Sequence, residues 1–177
     1  MKIPAEDSQL KCHLQDYRLK SILFLEEKDG SIRFEKGEED LLKIDTNFVL
    51  HSEDKQKYMV RLNVDYAKRT TSENVFRMQC QMYGFFKSQL ALNDQMDAKE
   101  RYLLWLNGTT ILYGLLRPIV ASMSSQCFAG RVLLRTVMMN DVVNEAIGKM
   151  TASSRPQQAQ EQLPLAPEPP NSASIEK

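Results

Sequence analysis

The chain has 177 residues, 23 acidic and 23 basic side chains, and 42% hydrophobic residues, which suit one ordinary domain with its own core. A net charge of zero argues against a nucleic-acid partner and leaves self-association unopposed. The opening residues 1–7 are polar, and no segment approaches the about 20 apolar residues that span a bilayer. We therefore expect a cytoplasmic protein that does not insert into a membrane.

Few side chains offer metal binding or nucleophilic chemistry. The cysteines Cys12, Cys80 and Cys127 are widely spaced, and the only histidines are His13 and His51. Neither a disulfide framework nor a zinc site fits this spacing. The sequence also lacks a glycine-rich phosphate loop, a GxSxG elbow and an HExxH motif. We expect no catalytic site, no metal and no cofactor, and interpret the thiols as small apolar packing groups.

The first half of the chain alternates apolar and polar side chains. Residues 1–14 are polar and are predicted to form a flexible arm. Four segments of period two then predict strands near residues 17–26, 41–52, 58–67 and 75–86. Because their links are short, we expect one antiparallel meander, with one apolar face that other elements must cover. Around Ile22 to Leu25 both faces are apolar, which indicates either a covered strand or an exposed binding surface.

Beyond residue 88 the apolar period becomes helical. Asn93 or Asp94 is predicted to cap a first helix, which Asn107 and Gly108 end. Thr109 or Thr110 is predicted to cap a second helix, with a bend near Gly114 caused by Pro118. The apolar stripe of this second helix comprises Ile111, Leu112, Leu115, Leu116, Ile119, Val120 and Met123.

A stripe of this kind is either core or interface. A small domain cannot bury two apolar helical stripes and one apolar sheet face completely by itself. We therefore predict that copies of the chain associate through the second-helix stripe. Residues 132–139 are predicted to be an apolar extended piece, and residues 141–150 a short helix. Residues 151–177 are rich in Ser, Gln, Glu and Pro and are predicted to be disordered, which leaves a folded domain at 15–150.

Nine methionines, several beside aromatic residues, have two interpretations. They fill gaps in a core, or they provide an adaptable surface that binds unlike apolar segments. From apolarity on both faces of the first strand and from the methionines, the candidate binding residues are Ile22, Phe24, Leu25, Met59, Met138 and Met139.

The run from Asn107 to Met123 resembles the signature helix of the SecB family of export chaperones. The matching residues are Asn107, Ile111, Leu112, Tyr113, Arg117, Val120 and Met123. Gly114 stands where the family usually has proline. The order of strands, helices, extended piece and final helix is also similar over residues 14–150.

This resemblance implies an α+β fold in which helices pack on one face of a four-stranded antiparallel sheet. It implies a homotetramer, built as a dimer of dimers. It further implies an ATP-independent holdase that binds unfolded or nascent proteins along apolar grooves, in protein export. The alternative is a dedicated adaptor or chaperone for one partner, such as an antitoxin, without a translocation role.

Two departures from the family pattern affect these expectations. The piece after the second helix lacks the proline and asparagine that the family carries there. Members that deliver clients to the SecA motor have acidic residues on the outer sheet face, where this chain has Ser21, Leu25 and Gln79. This difference argues against SecA as a partner. An enzyme or small-ligand carrier has the least support, because no histidine- or carboxylate-lined pocket is predicted.

Overall fold

The structure is a computed structural model that describes residues 12–28, 32–35, 38–71, 74–89, 91–92, 96–127 and 130–153. Its elements are β1 (Cys12–Lys28), β2 (Asp40–Leu50), β3 (Lys57–Arg69), β4 (Asn74–Ser88), α1 (Ala98–Ser124) and α2 (Met139–Ser153). The predicted α+β fold is confirmed: both helices pack on one face of a four-stranded antiparallel sheet. Cys12, His13 and Leu14 of the predicted arm belong to β1. Residues 151–153 of the predicted disordered tail belong to α2, so that part of the prediction is wrong, and residues 154–177 lie outside the described residues.

The strand order differs from a simple meander. The sheet runs β1-β4-β3-β2, so β2, β3 and β4 follow one another as predicted, but β1 pairs with β4 instead of β2. This pairing extends from Cys12 opposite Ser88 to Lys28 opposite Asn74. The links at 51–56 and 70–73 are short and suit hairpins, whereas the longer link between β1 and β2 does not require these two strands to be neighbours.

Strand β1 is irregular in a way that its sequence conceals. Its ladder with β4 skips Gln15 and Lys20, so each is a one-residue bulge. Because side chains alternate with a period of two, one extra residue reverses the faces of everything beyond it. Tyr17 and Leu19 therefore share the helix-covered face with Ile22, although the uninterrupted alternation in the sequence predicts opposite faces.

Helix α1 is continuous, so the predicted break at Asn107 and Gly108 is wrong. A Cβ atom on Gly108 would lie 2.7 Å from Cγ2 of Val60, so this glycine allows the helix to approach the sheet closely. The hydroxyls of Thr109 and Thr110 donate to carbonyls four residues earlier, at 2.9 and 2.8 Å, instead of capping a new helix.

The N-terminus of α1 follows Asp97, whose side chain makes no capping hydrogen bond. The predicted caps Asn93 and Asp94 lie outside the described residues, and Pro118 lies within the helix. By length and composition α1 could cross a membrane, but 44% of its most apolar window is buried inside the chain. A helix in the core of a domain can have the same length and apolar composition, because its buried side needs apolar residues.

Replacing Gly108 with alanine is expected to lower the free energy of unfolding by about 1–3 kcal/mol, because the new methyl group overpacks against Val60. The matched control is Gly114→Ala, where a Cβ atom meets nothing within 4 Å. That substitution is expected to raise the stability by about 1 kcal/mol, because alanine favours a helix more than glycine does. Urea denaturation measures both, and a neutral Gly108→Ala would contradict the close approach.

The core lies between the sheet and α1 and is organised around one tryptophan. Nε1 of Trp105 donates to Oγ1 of Thr46 at 3.0 Å, and this oxygen lies 3.0 Å from Oγ1 of Thr109. All three residues are buried, and the Trp105 ring packs near Phe48 with centroids 6.2 Å apart. This network joins α1 to edge strand β2. The largest fully buried side chains of the described residues include Tyr58, Leu62, Phe76, Met78, Met82, Phe86, Leu104, Leu112 and Leu116.

Candidate peptide-binding surface

The structure distributes the predicted binding residues of the sheet over both faces. Ile22 and Phe24 lie on the helix-covered face, half-buried against the core, and the Phe24 ring stacks on Phe76 with centroids 5.9 Å apart. Leu25 and Met59 lie on the opposite, outer face, as their partners Arg77 and Phe85 do. The apolar run in β1 therefore serves two separate surfaces.

The two predicted methionines before and at the start of α2 have opposite environments. Met138 is 68% exposed, whereas Met139 is only 8% exposed and belongs to the core. The prediction for Met139 is wrong, because this first residue of α2 packs inward with Val142 and Val143. Met138 remains a candidate binding residue.

The predicted interface stripe on α1 also divides. Leu112, Leu116 and Val120 are completely buried in the chain's own core, so their assignment to an interface between copies is wrong. The reason is that α1 spans the sheet, and one side of the stripe covers it. The other four residues, spaced by one helical turn, form what we call the outward row: Ile111, Leu115, Ile119 and Met123. This row includes two exposed side chains, and its role as an interface stays a prediction.

Residues 131–138, here called the connecting segment, are fastened to α1 by three hydrogen bonds. The hydroxyl of Tyr113 donates to the carbonyl of Arg135 at 2.6 Å, and Nε of Arg117 donates to the carbonyl of Leu134 at 3.0 Å. The backbone N–H of Val132 donates to Oγ of Ser124 at 2.8 Å. These bonds satisfy backbone groups that no sheet or helix satisfies, and they fix which side chains point outward.

Leu133 is the most exposed large apolar side chain among the described residues, at 69%. Its neighbours Val132 and Leu134 are buried, so the connecting segment alternates between core and solvent. Leu133 is not among the binding residues predicted from the sequence. The three residues Val132, Leu133 and Leu134 are all apolar, so no alternation in the sequence marks the middle one as exposed; only the folded structure distinguishes it.

A groove of about 350 Å³ runs between α1 and the connecting segment. Its floor and rim combine small or apolar residues with two guanidinium groups. We call it the arginine groove, lined by Gly114, Arg117, Pro118, Ala121, Arg131, Leu133 and Leu134.

The centre of the outer sheet face is polar and internally paired. Arg77 donates to both carboxylate oxygens of Asp65, at 3.0 and 2.7 Å, and contacts Glu27 at 3.4 Å. These hydrogen bonds hold the pKa of Asp65 below its ordinary value. Next to them, the amide of Gln81 donates to Asn63 at 2.8 Å. The polar side chains here bind one another across strands, which leaves the apolar outer residues at the margins.

One such margin carries three apolar side chains on neighbouring strands. Val49 pairs with Met59, and Met59 pairs with Phe85, so the three form a short row. Val49 is exposed, and the guanidinium of Arg18 lies 5.4 Å from the Phe85 ring centroid. This row is small and partly covered by a cation, which makes it a weaker candidate for peptide binding than the connecting segment.

A larger cleft of about 830 Å³ involves the sheet, the connecting segment and α2. Its charged groups are of both signs, and Lys149 lies 2.8 Å from Glu145 and 3.9 Å from Asp45. Burial raises the pKa of Cys80, which also lines it, to about 11, so this thiol stays protonated near neutral pH. Across the part of the chain that the structure describes, no three His, Cys, Asp or Glu side chains could together hold a metal ion.

Acidification is expected to weaken the fold through Asp65. Because its pKa is lowered in the folded state, the stabilisation is complete above its ordinary pKa of about 4 and is lost as the pH falls below it. Asp65→Asn should therefore flatten the decline in unfolding free energy between about pH 5 and pH 2. Arg77→Met should flatten it similarly, since the guanidinium is the main cause. Urea denaturation at each pH measures the free energy of unfolding. If this free energy declines in both variants as it does in the parent, the assignment is contradicted.

No protein-family model matches the chain, and no curated protein matches it. Its fold is similar to that of a SecB-like chaperone from Mycobacterium tuberculosis, solved in complex with a ChAD peptide from the HigA1 antitoxin. The TM-score is 0.50 at 14% sequence identity, and the alignment covers 72% of this chain and 88% of that chain. A protein of unknown function from Streptococcus agalactiae aligns with a TM-score of 0.42 and 9% identity over 72% of this chain and 98% of that one. The first likeness confirms, for the fold, the resemblance seen in residues 107–123.

Proposed function

We propose that this chain, whose fold is that of a divergent SecB-like protein, is an ATP-independent holdase for apolar segments of non-native polypeptides. The observation that carries the proposal is the exposure of Leu133 and Met138 on a segment that is anchored to α1. The helix-covered sheet face already has its core, so these side chains are surplus to the folding of one copy. Exposed apolar side chains on a fixed backbone suit the capture of extended apolar peptides.

Assembly is the second part of the proposal. The outward row is apolar and flanks the buried stripe of α1: Ile111 and Met123 are exposed, and Ile119 is partly buried against the core. A second copy would remove the exposed part of this row from water. We propose a homo-oligomer, a tetramer built as a dimer of dimers, in which this row contributes an interface. In one assembly, the exposed Leu133 and Met138 of several copies would bind one long polypeptide at several points. Many weak contacts made together would strengthen the overall binding.

The outer sheet face supports a role without the SecA motor. Its carboxylates Glu27 and Asp65 both contact Arg77, so part of their negative charge is offset and both are engaged within the sheet face. The proposed holdase acts in the cytoplasm, where nascent chains are available. A role in protein export would require a different docking surface.

Suppression of aggregation without ATP tests the proposal. A chemically denatured test protein is diluted into buffer with or without this chain, and light scattering is followed. We expect suppression at a stoichiometric ratio of assembly to test protein. The double variant Leu133→Ser/Met138→Ser should suppress at least several-fold less, whereas Met150→Ser, an exposed methionine on α2, should behave like the parent.

No suppression by the parent protein, at any ratio up to several-fold excess, would remove the holdase function. A dedicated chaperone for one partner predicts a different pattern: one saturable partner and no effect on unrelated denatured proteins. Two unrelated test proteins in the same assay therefore separate general from dedicated binding.

A further inference from the structure

Residues 101–140, which include most of α1 and the connecting segment, have an unusual charge pattern. Between residues 101 and 140 the only charged side chains are arginines: Arg101, Arg117, Arg131 and Arg135. The whole chain has zero net charge, so this stretch is positive and the remainder is negative by the same amount. A positive, apolar surface favours ligands that are themselves apolar and negative.

Two of these arginines border the arginine groove. Arg117 is anchored through Nε to the carbonyl of Leu134, which fixes the plane of its guanidinium beside the groove. Arg131 is exposed on the opposite rim, next to Leu133. Within the described ranges, no carboxylate lies at ion-pair distance from either guanidinium. Arg135, by contrast, approaches Asp40 at 3.7 Å.

We propose that the arginine groove binds extended peptide segments in which a carboxylate stands next to apolar side chains. The inference rests on the proposed holdase function and names its preferred client class. Leu133 and Pro118 provide apolar contact, while Arg117 or Arg131 can bind a carboxylate with two parallel hydrogen bonds. A peptide with lysine in place of the acid meets two like charges in the same groove.

Charge also argues against a second copy as the occupant of this groove. A symmetric contact between two copies would place Arg117 and Arg131 of one copy near the same arginines of the other. Among the described residues that line the groove, none is acidic to offset that repulsion. The outward row avoids the problem, because it carries no charged residue and runs along a different strip of α1.

Fluorescence anisotropy with labelled peptides tests the inference on the full chain. Three peptides share one apolar core and differ only in the flanking residues, which are Glu, Gln or Lys. We expect the Glu-flanked peptide to bind about tenfold more tightly than the Lys-flanked one, with a difference that shrinks at high salt. Arg131→Gln should reduce this preference several-fold. Arg18→Gln, the same change on the outer sheet face, should leave it unaltered.

Leu133→Ser should weaken all three peptides, while Met150→Ser should weaken none. Equal binding of the Glu- and Lys-flanked peptides, together with intact suppression of aggregation, would overturn the inference and leave the holdase function standing. Loss of both binding and suppression would overturn both. If Leu133→Asp dissociates the assembly, as measured by light scattering, and the peptide affinities stay the same, the groove belongs to a second copy and the inference fails.

Discussion

Replacing Trp105 with alanine is expected to lower the free energy of unfolding by about 3–5 kcal/mol. The indole is buried between α1 and the sheet, so its removal leaves a cavity under the helix that carries the candidate binding surface. It also removes the N–H donor that reaches Thr46 across to β2. Urea denaturation followed by circular dichroism measures the change, because the variant has no tryptophan left to report by fluorescence.

Trp105→Phe separates the two contributions. Phenylalanine keeps much of the buried aromatic surface but loses the N–H donor and part of the ring volume. Since Oγ1 of Thr46 retains its contact with Thr109, we expect a smaller loss, about 1–2 kcal/mol. Equal losses in the two variants would mean that the hydrogen bond, and not the packing of the ring, dominates. A loss below about 1 kcal/mol in Trp105→Ala would contradict the central place of Trp105 in the core.

Introducing a carboxylate into the outward row is expected to break the assembly. In the proposed oligomer Leu115 is covered by a second copy, so Leu115→Asp would bury an unpaired charge at a cost of several kcal/mol. We expect the mass measured by light scattering to fall from the oligomer to a smaller species. The secondary structure should persist, because Leu115 is half-exposed in one copy.

Thr110→Asp is the matched control. It places the same charge on an exposed position of α1 outside the outward row and should leave the mass unchanged. A monomeric parent protein would disprove the proposed assembly outright. An oligomer that tolerates Leu115→Asp would move the interface away from this row, leaving the holdase function to its own test.

The elements of this fold were largely predictable, because they depend on local periodicity. The alternation in β3 and β4 and the period of α2 follow from which side chains face the core. The pairing of β1 with β4 was not predictable, since the long link after β1 is compatible with more than one strand order. The bulges at Gln15 and Lys20 left no local signature, and each one reversed the faces of the residues beyond it.

The environment of individual side chains was harder to predict, because it depends on contacts between residues that are distant in sequence. Gly108 resembles a helix terminator when it is read alone, and only its approach to Val60 explains its presence within α1. Leu112 and Leu115 are equally apolar in sequence, yet the sheet buries one and leaves the other half-exposed. The arginine groove exists because three hydrogen bonds hold the connecting segment against α1. No sequence motif predicts these hydrogen bonds.

The two bulges of β1 have a consequence for the proposed holdase function. A regular edge strand presents evenly spaced, unpaired backbone N–H and C=O groups. An unfolded polypeptide can pair with them as an added strand, which can lead to amyloid-like aggregation. Twice along β1 that spacing is interrupted, and the lysine at the second interruption adds charge. In the proposed holdase, this edge would therefore be a poor template for the stacking of bound polypeptides, which would instead be held by side-chain contacts.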